Sequence, residues 1–409
     1  MNGPSDVGGA IFVLPTTTVG QLGPVAGWIS TSGWAAAAER QLGRAWIVTR
    51  HGVLTVDEVR RRASSSDRAL PAGERRLRHA LPTVAKTLVK DVREAQRARR
   101  FRIGPDGPWT AAGVEVTFVW QRHELFHRAG IDLATALDVP SVLFVPALTV
   151  WQAERWNVRR PGWGGWLERH AERPALRAAT VVACGTEVVA DQVTRLGVPD
   201  ERVLVTPTGV DLALFSAPPD RAAARQALAI GDELVIGWVG SFRPFHELEQ
   251  IVHAAARVEG ATLLLVGDGP ERPAIERLSR ALGVRTRFTG LVPHEDLPRL
   301  LAAMDVGVVL ARPGEPFHYS PLKVAEYLAA GLPVVAPRVP ELIERLEDER
   351  QAVFYAAGDE AALAAALAGL RDDPDRRARL AAAAREDAPT WSWDHQVQRV
   401  RAALAERPA

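Results

Sequence analysis

The 409-residue sequence is poor in several residue types, and each scarcity narrows the possible classes of protein. A single cysteine, Cys184, excludes a disulfide framework and any zinc cluster built on cysteine, and it indicates a reducing compartment. No apolar run approaches the roughly 18 residues of a membrane-spanning helix, and no basic segment leads into a hydrophobic signal at the N-terminus. We therefore expect a soluble, cytoplasmic protein.

Neither charge is in large excess, because the chain has 50 basic and 49 acidic residues, for a net charge of +1. This balance excludes a basic protein that coats nucleic acid, so no nucleic-acid partner is expected. Lysine is scarce, since only Lys86, Lys90 and Lys323 accompany 47 arginines. A lysine at a candidate site therefore suggests a need for a compact ammonium group that arginine would not satisfy.

Short apolar runs alternate with longer amphipathic stretches along most of the chain, which is typical of parallel sheets covered by helices. The runs are rich in Val and Leu, as expected for strands that are buried on both faces. Strands are predicted at residues 9–15, 44–48, 114–119, 141–145, 180–183, 203–206, 234–239, 262–266, 287–289, 306–310, 333–336 and 352–354. The predicted fold class is α/β with doubly wound sheets.

The length is sufficient for two domains, each with its own core. A short Pro-bearing stretch, residues 214–220, separates the two series of strands and is predicted to be a linker. The first domain then comprises residues 1–213 and the second residues 221–388. Ligands of such folds bind at the carboxyl ends of the strands, so the loops after the strands are the places to search for a site.

One helix combines the features of an anion site. Ser320 is a favourable N-cap, Pro321 suits the first helical position, and Gly331 suits the end of the helix. Lys323 adds a cation to the positive end of the helix dipole, and Glu326 follows one turn deeper. This arrangement suits a nucleoside diphosphate, with its phosphates at the helix end and its ribose on the acid. The alternative is an ordinary capped helix with a solvated Lys–Glu pair.

This stretch resembles the GT-B glycosyltransferases, and within them the large retaining group called family 4. Members of that family carry an E-x7-E segment followed by a helix and a Gly-x-Pro-Val-Val-Ala strand. Glu326 matches the second glutamate and Gly331-Leu-Pro-Val-Val-Ala336 matches the strand, whereas His318 occupies the position of the first glutamate. The resemblance implies that Glu326 holds the nucleotide ribose and that His318 lies near the donor sugar.

Further matches are spread over residues 180–400. After the predicted strand 234–239, the family has a Gly-Arg pair and a later lysine that clamp the diphosphate, and this chain has Ser241 and His246 there with Arg243 between them. Arg243 is suited to a bidentate phosphate contact, and His246 to a second, titratable one. The aromatic motif that begins at Trp391 resembles the one preceding the family's last helix, so residues 389–409 are expected to pack back on the first domain.

The resemblance thus implies a GT-B fold, with two Rossmann-like domains that face each other across a cleft, and a donor site in the second domain. The expected catalytic residues are Arg243, Lys323 and His318. The expected nucleotide-binding residues are Gly240, Ser241, His246, Leu291, Val292, Ser320, Pro321, Leu322 and Glu326. The backbone of Leu291 and Val292 is the expected contact for the base.

The acceptor half is less informative. Gly27 and Trp28 fall near the family's glycine pair, and His123 and Glu124 are the titratable residues that follow the predicted strand 114–119. Trp151 opens a segment with four tryptophans, and indole faces stack well on sugar rings. We retain Gly27, Trp28, His123, Glu124 and Trp151 as candidate acceptor contacts. The alternative for the glycines is a flexible surface loop, and for the tryptophans ordinary packing.

A basic patch breaks the neutral balance, because residues 57–103 hold 14 basic and 6 acidic side chains. Its predicted helix, residues 82–100, places Val84, Leu88 and Val92 on one stripe with cations elsewhere. Such a helix is suited to peripheral contact with an anionic membrane at its inner face, or to an anionic acceptor. A solvated face is the alternative.

The sequence therefore predicts a retaining glycosyltransferase that moves a sugar from a nucleotide-diphosphate sugar to a hydroxyl acceptor, which is a glycoside, a small molecule or a lipid-linked species. The donor is a co-substrate, and neither a cofactor nor a metal is expected. A sugar-nucleotide epimerase of the same fold and a non-catalytic nucleotide-binding protein are the alternatives. The base, the sugar, the acceptor and the oligomeric state are not specified.

Overall fold

The computed structural model describes residues 8–15, 26–59, 83–155, 158–217, 220–314 and 322–407. These residues divide into two compact units. The first unit comprises the described part of Met1–Pro207 together with that of Trp393–Ala409. The second unit comprises the described residues between them, from Thr208 to Ser392.

The first unit is built on a seven-stranded sheet with the order β3-β2-β1-β4-β5-β6-β7. Its strands are β1 (Gly8–Leu14), β2 (Gly43–Thr49), β3 (Gly52–Thr55), β4 (Glu115–Arg122), β5 (Ser141–Val145), β6 (Val181–Cys184) and β7 (Val203–Val205). The central strands β1 and β5 are almost wholly buried, because helices cover both faces of a parallel sheet.

The helices of the first unit include one long helix, α2, that carries six of the 14 basic side chains of the basic patch. They are α1 (Ala26–Leu42), α2 (Thr83–Arg100), α3 (Pro108–Ala111), α4 (Ala129–Leu137), α5 (Thr149–Arg155), α6 (Gly164–Leu167), α7 (Arg173–Ala178) and α8 (Glu187–Arg195), with a π-helical turn at Glu168–Glu172. Local sequence starts several of them. Thr186, for example, accepts the Val189 N–H at 3.3 Å and so caps α8.

The second unit has a six-stranded parallel sheet with the order β10-β9-β8-β11-β12-β13. Its strands are β8 (Val235–Val239), β9 (Thr262–Val266), β10 (Arg285–Gly290), β11 (Val306–Val308), β12 (Val334–Pro337) and β13 (Ala352–Tyr355). Its helices are α9 (Arg221–Ala227), α10 (Leu248–Ala255), α11 (Arg272–Ala281), α12 (Leu297–Ala302), α13 (Leu322–Ala330), α14 (Pro340–Ile343), α15 (Glu360–Asp372) and α16 (Pro374–Asp387).

The last helix, α17 (Trp393–Ala405), belongs to the first unit, as the resemblance implied. The ring of Trp393 lies 5.6 Å from that of Trp34 on α1. A Cβ atom at Gly33 would come within 2.1 Å of the Trp393 indole nitrogen, so only glycine permits this approach. Arg40 on α1 also holds Asp394 through two hydrogen bonds of 2.9 and 2.5 Å.

Each predicted strand overlaps an observed one, and the predicted α/β class with doubly wound sheets is confirmed. The strand β3, which pairs antiparallel with β2 at the edge of the first sheet, was not predicted. A strand of four residues after a two-residue turn leaves no apolar run to detect. Within the described ranges, no helix is long and apolar enough to cross a membrane.

Candidate functional site

Two glycines bring the loops after β8 and β9 into direct backbone contact. Gly267 has φ +128°, and a Cβ atom there would lie 1.9 Å from the carbonyl oxygen of Gly240. The Gly240 N–H in turn donates to the Val266 carbonyl at 3.0 Å. Neither loop carries a side chain at this contact, where Gly240 is half-buried and Gly267 is buried, and this geometry suits the close approach of a phosphate to the Gly240 backbone.

Lys323 lies in the first turn of α13 and reaches these strand ends. Its side chain is buried, and Nζ lies 4.0 Å from the ring centroid of Trp238 on β8, which is a cation–π contact. Burial lowers the pKa of Lys323 to about 7, and the negative charge of Glu326 offsets this only in part. The ammonium therefore lies in a site where its charge is incompletely compensated, and a bound anion would compensate it.

Glu326 is one turn further along α13, only 2% exposed. Its Oε1 lies 2.7 Å from Nε2 of His294, in the loop after β10. Burial by itself lowers the pKa of His294, but the hydrogen bond to Glu326 and the charges of Glu326, Asp211 and Glu295 outweigh burial and raise it above its ordinary value. A ribose that reached Glu326 would share this carboxylate with His294.

Tyr327 fixes the position of α13 against the sheet. Its hydroxyl accepts the Val239 N–H at 3.1 Å and donates to the Val308 carbonyl at 3.5 Å, so one side chain joins the helix to β8 and β11. Burial raises the pKa of this phenol, which keeps it protonated. Lys323 and Glu326 are thus held by the same rigid helix at set distances from the strand ends.

The loop after β8 carries Ser241, Arg243 and His246. Ser241 and Arg243 are exposed, and among the described residues no side-chain hydrogen bond or ion pair engages the Arg243 guanidinium. Burial, followed by the positive charges of Lys323 and Arg243, lowers the pKa of His246 to about 2. His246 is therefore neutral at pH 7, which corrects the expectation of a titratable contact. Burial makes the largest contribution to this low pKa, and the charges of Lys323 and Arg243 add to it.

The expected base contacts lie in the loop after β10. Leu291 is 61% exposed and Val292 is half-buried, and His294 follows two residues later. Leu322, at the start of α13, is half-buried. The expected residues His318, Ser320 and Pro321 lie outside the described residues.

Two residues of this site, Trp238 and His294, were not predicted from the sequence. Trp238 is fully buried in a strand of apolar residues, so the sequence indicates only a core residue. His294 is 32 positions from Glu326, and only the folding of the β10 loop against α13 brings the two together. No local pattern in the sequence signals either contact.

The candidate acceptor residues of the first unit are more dispersed. Gly27 lies in the first turn of α1, where a Cβ atom would be 3.8 Å from Arg122 Nε, and Trp28 is buried. Glu124 is half-buried and lies 3.6 Å from Arg122. The Trp151 ring lies 4.2 Å from the Arg155 guanidinium.

His123 is a buried structural residue, which corrects its assignment as an acceptor contact. Its Nε2 lies 3.1 Å from Oε1 of Glu172, and neither side chain is exposed. Glu172 also accepts the Thr149 N–H at 2.6 Å, so this pair ties the end of β4 to α5. A substrate would have to displace this packing to reach the imidazole.

Possible metal ligands are dispersed rather than clustered. Among the residues that the structure describes, no group of three or more His, Cys, Asp or Glu side chains is placed to hold a metal ion. Asp373, which precedes Pro374 in a metal-like Asp-Pro-Asp sequence, accepts the Arg376 N–H at 2.7 Å and caps α16.

Comparison with known proteins shows what the second unit is similar to. Residues 233–373, most of the second unit, match the family model described as Glycosyl transferases group 1. The two Rossmann-like units have the fold of the GT-B glycosyltransferases, and the second unit is similar to the group 1 glycosyltransferases.

Particular relatives share about half of the chain. The D-inositol 3-phosphate glycosyltransferase of Stackebrandtia nassauensis is 34% identical over 211 residues, 48% of this chain and 46% of the relative. The 2-deoxystreptamine N-acetyl-D-glucosaminyltransferase of Streptomyces fradiae is 32% identical over 228 residues, 53% of each chain. The chain therefore spans about half the length of the curated relatives it matches.

Solved structures are similar over nearly the whole chain. Anabaena Alr3699/HepE in complex with UDP-glucose has a TM-score of 0.64 at 17% identity and covers 97% of this chain and 99% of that one. Sucrose-phosphate synthase from Thermosynechococcus elongatus has a TM-score of 0.66 at 19% identity, with 98% of both chains covered. At these identities the similarity establishes the fold alone.

Proposed function

We propose that this protein is a retaining, metal-independent glycosyltransferase that moves a sugar from a nucleotide-diphosphate sugar to a hydroxyl acceptor. The observation that carries the proposal is the pairing of Lys323 and Glu326 on one rigid helix, beside the side-chain-free contact of Gly240 and Gly267. A diphosphate fits the cation and the backbone of Gly240, and a ribose fits the carboxylate one turn away.

The two cations beside the β8 loop support the diphosphate assignment. Lys323 and Arg243 both depress the pKa of His246, so their charges converge on one place. In the proposed complex Lys323 and Arg243 bind the diphosphate, Gly240 and Ser241 approach it through their backbone, and His246 contributes a neutral hydrogen bond. The resemblance assigns Ser320, Pro321 and Leu322 to the same phosphates, since the N-terminus of a helix favours an anion.

The nucleoside end of the donor fits the other side of α13. Glu326 would accept hydrogen bonds from the ribose hydroxyls, with His294 holding the carboxylate in place from the opposite side. The backbone of Leu291 and Val292 would meet the base. His318 is assigned to the donor sugar on the resemblance alone.

Catalysis in this proposal rests on electrostatic stabilisation of the leaving diphosphate. The bond between the anomeric carbon and the phosphate oxygen breaks, the bond to the acceptor oxygen forms on the same face, and the acceptor proton passes to the leaving phosphate. Lys323 and Arg243 would stabilise the negative charge that develops on that phosphate, and such stabilisation often contributes more to catalysis than any other effect. No side-chain base is required, which agrees with the burial of His123.

Names and ligands of similar proteins suggest which substrates to test first. Structures of HepE contain UDP and UDP-glucose, so a UDP-sugar is the first donor to try. Inositol 3-phosphate and 2-deoxystreptamine are both cyclic polyols, so these two compounds are the first acceptors.

Calorimetry with UDP tests the nucleotide site. Replacing Glu326 with Gln should weaken UDP binding by about tenfold or more, since a charge-assisted hydrogen bond is worth roughly 1.5–3 kcal/mol. Glu249→Gln, an exposed carboxylate on α10, is the matched control and should bind UDP as the parent does. Equal affinity in the Glu326 variant would remove the ribose assignment.

Turnover of a donor panel tests the activity itself. Incubation with UDP-, GDP-, ADP- and dTDP-sugars should give slow release of free sugar, and faster transfer when an acceptor is present. Tight nucleotide binding without any turnover would instead indicate a non-catalytic binding protein. Conversion of the donor sugar without an acceptor would indicate an epimerase.

A further inference from the structure

The long helix α2 places its polar and apolar side chains opposite to the usual arrangement. Thr87 and Asp91 are buried on its inner side, at 8% and 5% exposure. Val84, Leu88, Val89 and Val92, by contrast, are 37–49% exposed. A helix that only covered a core would bury its aliphatic residues, so the outer side of α2 is suited to contact an apolar medium that the described residues do not supply.

The acidic side chains of α2 are both used on the inner side. Asp91 receives two hydrogen bonds from Arg160, at 2.8 and 3.0 Å, and one from the Trp163 indole N–H at 3.0 Å. Glu94 lies 2.9 Å from His127 Nε2, and this hydrogen bond lowers the pKa of Glu94. These contacts anchor the helix firmly and remove its negative charge from the outer surface.

The outer surface of α2 therefore carries charge of one sign. Its cations are Lys86, Lys90, Arg93, Arg97, Arg99 and Arg100. Arg97 also contacts Glu94 at 3.3 Å, and no described residue forms a hydrogen bond or ion pair with the other five side chains. Two of the chain's three lysines lie here. Long cationic side chains beside aliphatic ones can extend to a polar surface while their stems lie on apolar groups.

An exposed tryptophan continues the apolar surface beyond α2. Leu88 and Val92 line an open groove of about 620 Å³, and Trp166 on α6 lines its opposite side. Trp166 is 51% exposed and stacks on His170 with 5.0 Å between ring centroids. Tryptophan is favoured at the boundary between water and lipid because its ring is apolar and its N–H is polar.

We propose that the outer side of α2, together with Trp166, binds the surface of an anionic lipid bilayer. The helix would lie along the interface, with its aliphatic residues and Trp166 below the headgroups and its cations among them. Charge complementarity favours this partner, since cations extend over the full 18-residue helix and no acid faces outward. A nucleic-acid backbone would leave the exposed Val and Leu side chains without a partner. This inference is independent of the proposed function.

Vesicle sedimentation with the full-length protein tests the proposal. The protein should pellet with phosphatidylcholine vesicles that contain 30% phosphatidylglycerol and should stay in solution with pure phosphatidylcholine. High salt should weaken the binding, because screening reduces the attraction between the cations and the headgroups. Each lysine near an anionic membrane surface contributes about 1 kcal/mol of binding free energy. The double variant Lys86→Gln with Lys90→Gln should therefore lower the partition coefficient about 30-fold.

Matched variants distinguish binding through α2 from nonspecific adsorption of the protein to vesicles. Leu88→Ser with Val92→Ser should lower binding at least tenfold, whereas Leu282→Ser with Ile343→Ser, at 43% and 44% exposure on the second unit, should leave it unchanged. Arg277→Gln with Arg280→Gln, exposed on α11, is the charge control. Circular dichroism and thermal melts should show that every variant folds as the parent does.

Three outcomes would overturn the proposal. The first is absence of binding to anionic vesicles by the parent protein. The second is equal binding to neutral and anionic vesicles. The third is loss of binding in the controls as large as in the α2 variants. Capture of an acidic protein by the same surface, without vesicle binding, would assign α2 to a protein partner instead.

Discussion

Raising the pH from 7 to 9 should weaken the binding of UDP about 50-fold, because Lys323 loses its proton over this range. Burial lowers the pKa of this lysine to about 7, so about half of the free protein is charged at pH 7 and about 1% at pH 9. The bound diphosphate should raise this pKa towards the ordinary lysine value, since two negative charges would then lie beside the ammonium.

The direction of the effect follows from proton linkage. The pKa is lower in the free protein than in the complex, so affinity is greatest below pH 7 and falls as the pH rises. The fall approaches tenfold per pH unit, or about 1.4 kcal/mol, until the pKa of the complex is reached. The 50-fold change between pH 7 and 9 corresponds to roughly 2 kcal/mol.

Calorimetry at pH 7, 8 and 9, in two buffers of different ionisation enthalpy, measures both affinity and proton uptake. Close to one proton should be taken up per UDP at pH 8–9. His246 stays neutral throughout and does not contribute to the proton uptake. His294 has a raised pKa, and the variant His294→Gln removes its contribution to the proton uptake. Lys323→Arg is the matched control, because arginine stays charged at every pH tested.

Constant affinity of the parent protein from pH 7 to 9 would refute the assignment of Lys323 to the diphosphate. The same pH dependence in Lys323→Arg would also refute it, because another group would then be responsible. Weaker but pH-independent binding in that variant, with the full slope retained in His294→Gln, would support the assignment.

Three stability predictions concern the supporting structure and are measured by urea denaturation. Gly267→Ala forces a Cβ atom onto a backbone oxygen at φ +128° and should cost about 2–4 kcal/mol, whereas Gly260→Ala, at φ +72° in open space, should cost about 1 kcal/mol. Arg160→Met leaves a buried carboxylate unpaired and should cost about 3–5 kcal/mol, against less than about 1 kcal/mol for Arg128→Met at an exposed pair. Tyr327→Phe leaves a backbone N–H without its acceptor and should cost about 1–2 kcal/mol. Equal costs within either matched pair, or no cost for Tyr327→Phe, would contradict the corresponding argument.

The strands could be predicted from the sequence because buried parallel strands must be apolar along their whole length. Runs such as 262–266 therefore locate their strands directly, and β9 spans the same residues. The short edge strand β3 could not be predicted, since only its pairing with β2 makes it a strand. The end of α13 could also be predicted, because glycine readily adopts the left-handed conformation that follows a helix. Gly331 has this conformation, with φ +67°.

For residues of one helix, their spacing in the sequence also predicted which side chains share the candidate site. Lys323 and Glu326 are three residues apart on α13, so helical geometry alone predicts that they lie on one side. The roles of these two residues stay predictions, as does the assignment of Arg243. The acceptor residues had no such constraint, because they were drawn from separate loops.

Only the tertiary structure decided the chemistry of the individual groups. Trp238 below Lys323 and His294 against Glu326 come from other strands and loops, and burial and neighbouring charge set the pKa values of Lys323 and His246. Hydrophobic periodicity is a property of neighbours in the chain, so the sequence determined the two sheets. Desolvation and charge pairing depend on neighbours in space, so the state of each side chain was decided by the fold.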